Sequence, residues 1–327
     1  MHLELLDILR CPNTGEALAL IEPQYRGDRV YSGWLRSEKS GNRYPIREFV
    51  PRFVPEANYA DNFGMQWNRF RQTQLDSYSG QTISADRFWK ATGWRPQDIA
   101  GKWVLDVGCG AGRFAEIALQ AGAKVCALDY SSAVDACYAN LGQHPNLHVV
   151  QGDIYALPFS SGFFPFVYSL GVLQHTPDVA KAFAALPPML AADGRICVDF
   201  YWKRIRTMLH AKYVVRPITR RMQQQQLFKV VESVVPVLLP VSRLLGRVPV
   251  IGRFLKRLIP IADYTGVFPL SEQQLKEWAV LDTFDMLAPA YDNPQSSETV
   301  RGWMADAGLV GVKVFHESHL VGTGRRP

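Results

Sequence analysis

The chain has 327 residues, of which 47% are hydrophobic and 20% charged, so it can form one large α/β domain with additions or two modest domains. It contains five cysteines with no CxxC spacing, which argues against a disulfide framework and against a zinc site built from cysteines. There is no run of about eighteen uncharged apolar residues and no signal-peptide pattern, so we expect a cytoplasmic protein without a transmembrane helix.

The net charge of +6 is concentrated in one segment. Between Tyr201 and Ala262, thirteen Lys and Arg stand against the single acid Glu232, so this segment carries +12 and the rest of the chain −6. We therefore expect any anionic partner to meet the protein there.

The first two segments precede the main domain. Residues 1–56 predict a small β-rich module, because strand-like runs such as 18–23 and 44–55 are broken by Gly and Pro. Residues 57–100 are polar and aromatic, and we expect helices that lead into the main domain. Within them, the FGMQWNRF stretch at 63–70 could form a lid over a binding site or pack plainly against the core.

Strands and helices alternate from residue 101 to 202, which predicts a parallel sheet covered on both faces. A basic and apolar insertion follows at 203–269. We expect it to form helices interrupted by its prolines, Pro217, Pro236, Pro240, Pro249 and Pro260. The α/β pattern returns in 270–327, with an amphipathic helix at 297–309 that Gly308 closes, and a final hairpin.

A glycine-rich loop follows the first strand of the main domain. Asp106 stands two residues before Gly108, and Gly110 and Gly112 complete a GxGxG spacing. Glycines let a ligand approach the backbone, and the helix N-terminus offers N–H groups to a negative group. A dinucleotide loop has the related GxGxxG spacing, but an acid at Asp106 suits the ammonium group in the methionine part of S-adenosylmethionine (SAM).

Other candidate residues fall at the ends of later strands. Asp129 lies where an acid accepts hydrogen bonds from ribose hydroxyls in both SAM and NAD sites, although a helix cap is the alternative. Asp153 could accept the amine of adenine with Ile154 against the ring, or lie in a solvated turn. Leu170 ends the next strand, and His175 follows in a loop. Ligands of open α/β sheets bind at such strand ends, so these residues predict one shared rim.

Five stretches resemble successive motifs of class I SAM-dependent methyltransferases, most closely the bacterial type 11 group: VLDVGCGAGRF, ALDYS, GDIYALPF, SLGVLQHTPD and LPPMLAADGRI. The resemblance implies a seven-stranded doubly wound Rossmann-like α/β sheet whose last strand is antiparallel, with SAM as cofactor. The implied cofactor-binding residues are Asp106, Gly108, Cys109, Gly110, Gly112, Asp129, Tyr130, Asp153, Ile154 and Leu170. Pro165 and Gln174 depart from the family pattern without removing a cofactor contact.

The resemblance also implies a methyl acceptor, which we expect to be a small molecule or a lipid-linked compound methylated at oxygen. His175 is the candidate general base, with Asp199 and Tyr201 as weaker candidates. The alternatives are an NAD-dependent oxidoreductase and a non-catalytic SAM-binding regulatory subunit.

The N-terminus is similar to a small zinc-ribbon-like module that often precedes such methyltransferases. Only Cys11 of the first cysteine pair is present, Thr14 takes the second place, and the SEKS stretch at 37–40 has no thiol. One cysteine cannot form the usual four-coordinate site, so we predict a degenerate module without metal.

The basic segment 203–262 leaves three interpretations open. Its interleaved apolar residues and cations suit an element that lies on an anionic membrane, which would make the protein peripheral there. A helical cap over the site, with its cations facing water or core acids, is the plainer alternative. Nucleic acid is not expected as a partner, since no RNA-binding module accompanies the charge.

Overall fold

The computed structural model describes residues 1–55, 61–203 and 211–327. The parts of the predicted segments that fall on 56–60 and 204–210 lie outside the described residues. The chain begins with a four-stranded antiparallel sheet in the order β1-β2-β3-β4. Its strands are β1 Leu18–Arg26, β2 Arg29–Ser37, β3 Arg43–Arg47 and β4 Val50–Pro51.

This N-terminal module shares its core with the main domain. Leu9 and Leu35 are fully buried in the same apolar cluster as Leu105 and Phe164 of the large sheet. Arg52, just after β4, donates hydrogen bonds to the Gln151 side chain at 2.8 Å and to the Asp135 carboxylate at 2.6 Å. The module therefore adds to the hydrophobic core of the main domain instead of standing apart from it.

The main domain contains a seven-stranded sheet in the order β10-β11-β9-β8-β5-β6-β7. Its strands are β5 Trp103–Val107, β6 Lys124–Asp129, β7 Leu147–Gln151, β8 Phe164–Ser169, β9 Leu190–Phe200, β10 Val310–Glu317 and β11 His319–Arg325. The pairs among β5 to β9 are parallel, whereas β11 pairs antiparallel with β9 and β10. The predicted Rossmann-like sheet with an antiparallel final strand is confirmed.

Helices precede, cover and follow this sheet. The helices before it are α1 Asp61–Arg69, α2 Asp76–Ser79, α3 Ile83–Thr92 and α4 Pro96–Ile99. The remaining helices are α5 Arg113–Gln120, α6 Ala133–Leu141, α7 Val179–Ala184, α8 Lys212–Thr219, α9 Gln224–Gly246, α10 Gly252–Lys256, α11 Glu272–Leu287 and α12 Ser297–Asp306. All five residues of β7 and four of the five in β5 are buried, because helices cover both faces of the sheet.

We expected all five prolines of the insertion to interrupt helices, but three of them lie inside helices. Pro217 lies inside α8, and Pro236 and Pro240 lie inside α9, which runs unbroken for 23 residues. Only Pro249 and Pro260 fall in the breaks between helices. The hydrogen bonds that proline cannot make are offset in α9 by burial of one apolar face against α11. No helix in the described ranges is both long and apolar enough to cross a bilayer.

The packing of helix α11 differs from the domain boundaries that the sequence predicted. The segment 270–327 was assigned to the α/β core, but α11 packs on the insertion, where Phe284 and Leu287 share a cluster with Phe228 and Val235 of α9. A hydrogen-bonded box of Ser271 and Gln274 caps its N-terminus. The return to the sheet begins at α12, so α8 to α11 together form one helical layer.

Candidate functional site

A cavity of about 1120 Å³ opens at the carboxyl ends of the parallel strands. Its walls come from the glycine loop after β5, the ends of β6 and β7, the loop after β8, and the helical layer. The predicted residues that line it are Gly108, Cys109, Gly110, Asp129, Tyr130, Ile154, Leu170 and His175. The structure therefore brings most of the predicted set to one site, where open α/β sheets bind their ligands.

The glycine loop has a shape that only glycine permits. Gly108 has φ +87°, and a Cβ there would lie 2.4 Å from a methyl group of Val172. Gly112 has φ +94°, and its Cβ would lie 2.7 Å from Leu141. Both positions combine a left-handed backbone with a close neighbour, so any side chain would be strained and would clash. The loop is therefore fixed as a backbone-lined edge of the cavity.

The carboxylate of Asp129 connects this loop to the end of β6. One oxygen accepts the N–H of Gly110 at 2.9 Å, and the other accepts the N–H and hydroxyl of Ser131 at 2.9 and 2.7 Å. Burial raises the pKa of Asp129, and these hydrogen bonds oppose the shift. The side chain lines the cavity, so a ligand with vicinal hydroxyls would meet an oriented acceptor.

Asp106 does not line the cavity but lies directly beneath it. It is 2% exposed, and its carboxyl lies beside the buried hydroxyl of Tyr168. Burial raises the pKa of Asp106 to about 8 and the nearby charge of Asp129 adds to the shift, whereas the Tyr168 hydroxyl opposes it. A buried carboxyl beside a single hydroxyl can accept further hydrogen bonds, so this position fits a cationic or donating group.

Asp153 and Ile154 follow β7 and have different surroundings. The Asp153 carboxylate caps a short turn by accepting the N–H of Tyr155 at 2.9 Å, and the side chain is not part of the cavity wall. Ile154 is buried and lines the cavity. Asp153 thus lies in a turn, as the alternative to a cofactor contact expected, and its contact with an adenine amine stays a prediction.

His175 ends a short 3-10 turn after β8 and faces the cavity between two rings. Its ring lies 5.5 Å from Phe63 and 5.4 Å from Tyr201. Its Nδ1 lies 3.0 Å from the carbonyl oxygen of Tyr291. A carbonyl only accepts, so Nδ1 carries the proton and Nε2 of the neutral ring keeps its lone pair. Within the described chain Nε2 has no partner, so it can accept a proton.

The two weaker base candidates are unsuited to that role. Burial alone would raise the pKa of Asp199, but its ion pair with Arg87 at 2.8 Å and the N–H of Gly171 at 2.5 Å hold it below the ordinary value. Burial and nearby acids raise the pKa of Tyr201 well above its ordinary range, so it stays protonated. Asp199 positions Arg87 and the loop after β8 instead.

Several cavity residues lie outside the predicted set. Tyr264 donates a hydrogen bond to Asp282, which also accepts from Gln74 at 2.9 Å. Burial raises the pKa of Asp282 to about 6. Arg113 donates to Gln74 and Ser84 at 2.9 Å each. Arg113 adjoins the glycine loop, whereas Gln74, Tyr264 and Asp282 come from segments far from it in the sequence.

The FGMQWNRF stretch forms α1 and lies over the glycine loop. Trp67 lines the cavity, and a Cβ at Gly110 would lie 3.2 Å from its ring. Gly64 packs so closely on Ser132, at the start of α6, that a Cβ there would lie 2.2 Å from its hydroxyl. Plain packing and a lid over the loop are therefore combined in one helix.

The single N-terminal cysteine has protein partners. The Cys11 Sγ atom lies 3.2 Å from the hydroxyl of Tyr44 and accepts from Asn42 at 3.5 Å. Among the described residues, no group of three or more His, Cys, Asp or Glu side chains could hold a metal ion. The zinc-ribbon-like origin of the module stays an interpretation of the sequence.

Residues 105–198 match the family model described as a methyltransferase domain. The matched segment begins within β5 and ends within β9, so it contains the glycine loop, Asp129, Asp153 and His175. This part of the sheet is thus similar to methyltransferase domains over all the strand ends that form the floor of the cavity.

Among curated relatives, the ubiquinone biosynthesis O-methyltransferase of Aromatoleum aromaticum is 29% identical over 38% of this chain and 57% of its own length. The enzyme of the same name from Albidiferax ferrireducens is 34% identical over 29% of this chain and 40% of its own. This chain thus spans little more than half of the first relative and less than half of the second. A magnesium protoporphyrin IX methyltransferase structure from Synechocystis, with bound SAH, is 16% identical over 82% of this chain and 97% of that chain, with a TM-score of 0.44.

Proposed function

We propose that this protein is a SAM-dependent methyltransferase that transfers a methyl group to a hydroxyl of a small-molecule or lipid-linked acceptor. The single observation behind the proposal is the convergence of the glycine loop, Asp129 and His175 on one cavity. The methyltransferase-domain match over residues 105–198 supports it. The curated relatives, which are named as O-methyltransferases, favour oxygen as the acceptor atom.

The residues present fit the cofactor. Gly108 and Gly110 offer backbone without side chains, and Asp129 offers oriented oxygens for ribose hydroxyls. The buried carboxyl of Asp106 can accept a hydrogen bond from the methionine ammonium. Ile154 and Leu170 supply apolar surface for the adenine ring. When bound, SAM supplies a methyl group on a sulfonium that is already activated as a leaving group.

The chain's own residues then need to position the acceptor, exclude water and accept one proton. Nε2 of His175 is the proton acceptor in this proposal, because Tyr291 fixes the tautomer and the aromatic neighbours fix the ring. Arg87, held by Asp199, ties α3 to the loop that carries His175. Trp67 of α1 covers the glycine loop from the other side.

The acceptor would occupy the part of the cavity formed by the helical layer. Aromatic rings are concentrated there, including Tyr264, Phe268 and Trp278. Gln74, Arg113 and Asp282 supply a few polar groups among them. This combination favours an acceptor with an apolar or aromatic body and a small number of polar substituents. Contact of segment 203–262 with an anionic membrane would bring a lipid-linked acceptor to the cavity, whereas transfer to a small molecule does not depend on that contact.

The test is methyl transfer from SAM labelled on its methyl group, with small-molecule and lipid extracts offered separately as acceptors. We expect label in a methyl ether product with the wild-type protein. His175→Gln should lower kcat by roughly 10²-fold or more while binding of S-adenosylhomocysteine is unchanged, because only the proton acceptor is lost.

Two results would contradict the proposal. A loss of less than about tenfold in His175→Gln would remove the base from the mechanism, since a general base contributes more than that. Binding of S-adenosylhomocysteine without labelled product from any extract would favour the non-catalytic SAM-binding subunit.

A further inference from the structure

We propose that one face of the helical layer docks on an anionic lipid bilayer and that this contact leads an apolar acceptor to the cavity. The inference deepens the proposed function and rests on it for the fate of the acceptor. Its starting point is the distribution of exposed apolar side chains, since thirteen of the twenty large exposed hydrophobic residues in the described chain lie between 211 and 267.

Helix α9 presents an unpartnered apolar stripe. The stripe consists of Val230, Val234, Val237, Val241, Leu244 and, just beyond the helix end, Val248. At about 100° per residue these six positions fall within a sector of roughly 80°. Val237 is 68% exposed and Leu244 is 64% exposed. The face that packs on α11 carries Phe228, Val235 and Leu239 instead, so the stripe is a second apolar face that remains exposed among the described residues.

The turn after α9 extends the stripe. Val250 and Ile251 are exposed at this turn, and Phe254 and Leu258 are more than half exposed on and after α10. Because α10 packs back on the end of α9, these side chains form an apolar tip beside the stripe. Large exposed aliphatic and aromatic groups at such a tip are typical of elements that lie in a membrane interface.

Cations accompany the apolar stripe. Arg220, Arg221, Lys229 and Arg247 are exposed, and no carboxylate in the described ranges lies within ion-pair distance of any of them. The one acid of the segment, Glu232, is paired with Arg69 at 2.8 Å. An apolar stripe flanked by unneutralised cations fits a surface of anionic headgroups over an acyl layer.

The charge argues against a second copy of the chain as the occupant. Each such face brings the four exposed cations named above without a described carboxylate beside them, so two faces brought together would repel each other across an apolar contact. An anionic bilayer has the opposite sign and satisfies both the cations and the apolar side chains. A single lipid surface therefore matches the whole face.

The same layer forms one wall of the cavity. Lys212, Arg257 and Ala262 of the insertion line it, followed by Tyr264, Val267 and Phe268. Val267 is itself 64% exposed, so this wall of the cavity reaches the outer surface of the helical layer. An acceptor held in the bilayer would thus reach the site along residues of the docked layer.

The experiment is flotation of the full chain with vesicles of phosphatidylcholine, with and without phosphatidylglycerol. We expect binding only when phosphatidylglycerol is present, weakened by added salt. The double variant Val237→Glu/Leu244→Glu should lower the partition coefficient by roughly tenfold or more. Val310→Glu, at a position 40% exposed on the edge strand β10, is the matched control and should bind as the wild type does.

Binding of S-adenosylhomocysteine and sedimentation in solution separate the outcomes. If vesicles do not bind the wild-type protein but S-adenosylhomocysteine does, the docking surface is wrong and the proposed function stands. If S-adenosylhomocysteine fails to bind while vesicles bind, the docking surface stands without the acceptor route. If the wild-type protein sediments as a dimer and the double variant sediments as a monomer, the occupant is a second copy and the proposal is overturned.

Discussion

Asp106 makes the free energy of unfolding depend on pH. It is buried beside the hydroxyl of Tyr168, and burial raises its pKa from 3.8 to about 8. The unfolded chain therefore loses this proton at lower pH than the folded chain does. Between about pH 4 and pH 8, the contribution of Asp106 to the free energy of unfolding falls as pH rises.

This behaviour gives a prediction for binding at neutral pH. A ligand ammonium near Asp106 would lower its pKa, so binding of S-adenosylhomocysteine at pH 7 should release on the order of one proton. Asp106→Asn should release fewer protons and bind more weakly. Calorimetry in buffers of different ionisation enthalpy measures the proton count. Equal numbers of released protons for the wild type and Asp106→Asn would show that the ligand does not change the pKa of Asp106.

Some site residues could be predicted from the sequence, because a local backbone conformation or a strand end requires them. Residues that distant segments bring to the site could not be predicted. The glycine loop, Asp129 and His175 follow directly from spacing and from their positions at strand ends. Gln74 and Tyr264 reach Asp282 from about 200 residues and 18 residues away, through packing that no local pattern encodes. Asp153 had two interpretations because a turn and a ligand contact both favour aspartate at the end of a strand.

Elements illustrate how packing overrides local signals. Five prolines predicted a broken insertion, but α9 continues through Pro236 and Pro240. Its buried face packs on α11 around Phe284, which is fully buried 5.5 Å from the ring of Phe228. This contact joins segments that lie more than fifty residues apart, so neither the length of α9 nor the partner of α11 could be predicted from sequence. The parallel strands could be predicted from sequence, because continuous apolar runs are typical of strands that are buried on both faces.

The buried contact between α9 and α11 and the exposed stripe of α9 should respond differently to truncation. Phe284→Ala removes the centre of the buried contact and should lower the free energy of unfolding of the helical layer by about 3–5 kcal/mol. Val237→Ala on the exposed stripe should change it by no more than about 0.5 kcal/mol. Urea denaturation followed by circular dichroism compares the two. Similar losses in both variants would mean that the stripe is packed against another part of the protein.

On the scale of the whole molecule, the N-terminal module and the large sheet share one core. Leu9 and Leu35 of the module are buried in the same cluster as Leu105 and Phe164. Arg52 adds a polar connection to Gln151 and Asp135. A small module can keep its structure in this way, because the domain supplies the apolar surface against which it packs.

Shared packing predicts shared unfolding. Leu9→Ala should lower hydrogen-exchange protection of β1 to β3 and of β5 to β7 together, by about 2–5 kcal/mol in each. Tyr25→Ala, at a residue 51% exposed on β1, serves as the control and should leave both regions unchanged. Exchange measured by mass spectrometry on peptides from both sheets gives the comparison. Loss of protection confined to the module would show that it folds independently.

The most direct test of the account is calorimetric titration with S-adenosylhomocysteine, and separately with NAD, of the wild type, Asp129→Ala and the control Asp193→Ala. Asp129 orients the glycine loop and lines the cavity, whereas Asp193 is 76% exposed on β9. We predict that S-adenosylhomocysteine binds the wild type and Asp193→Ala alike, and binds Asp129→Ala more than about tenfold more weakly. Binding of NAD in place of S-adenosylhomocysteine, or equal affinity in Asp129→Ala, would contradict the assignment of this cavity as a SAM site.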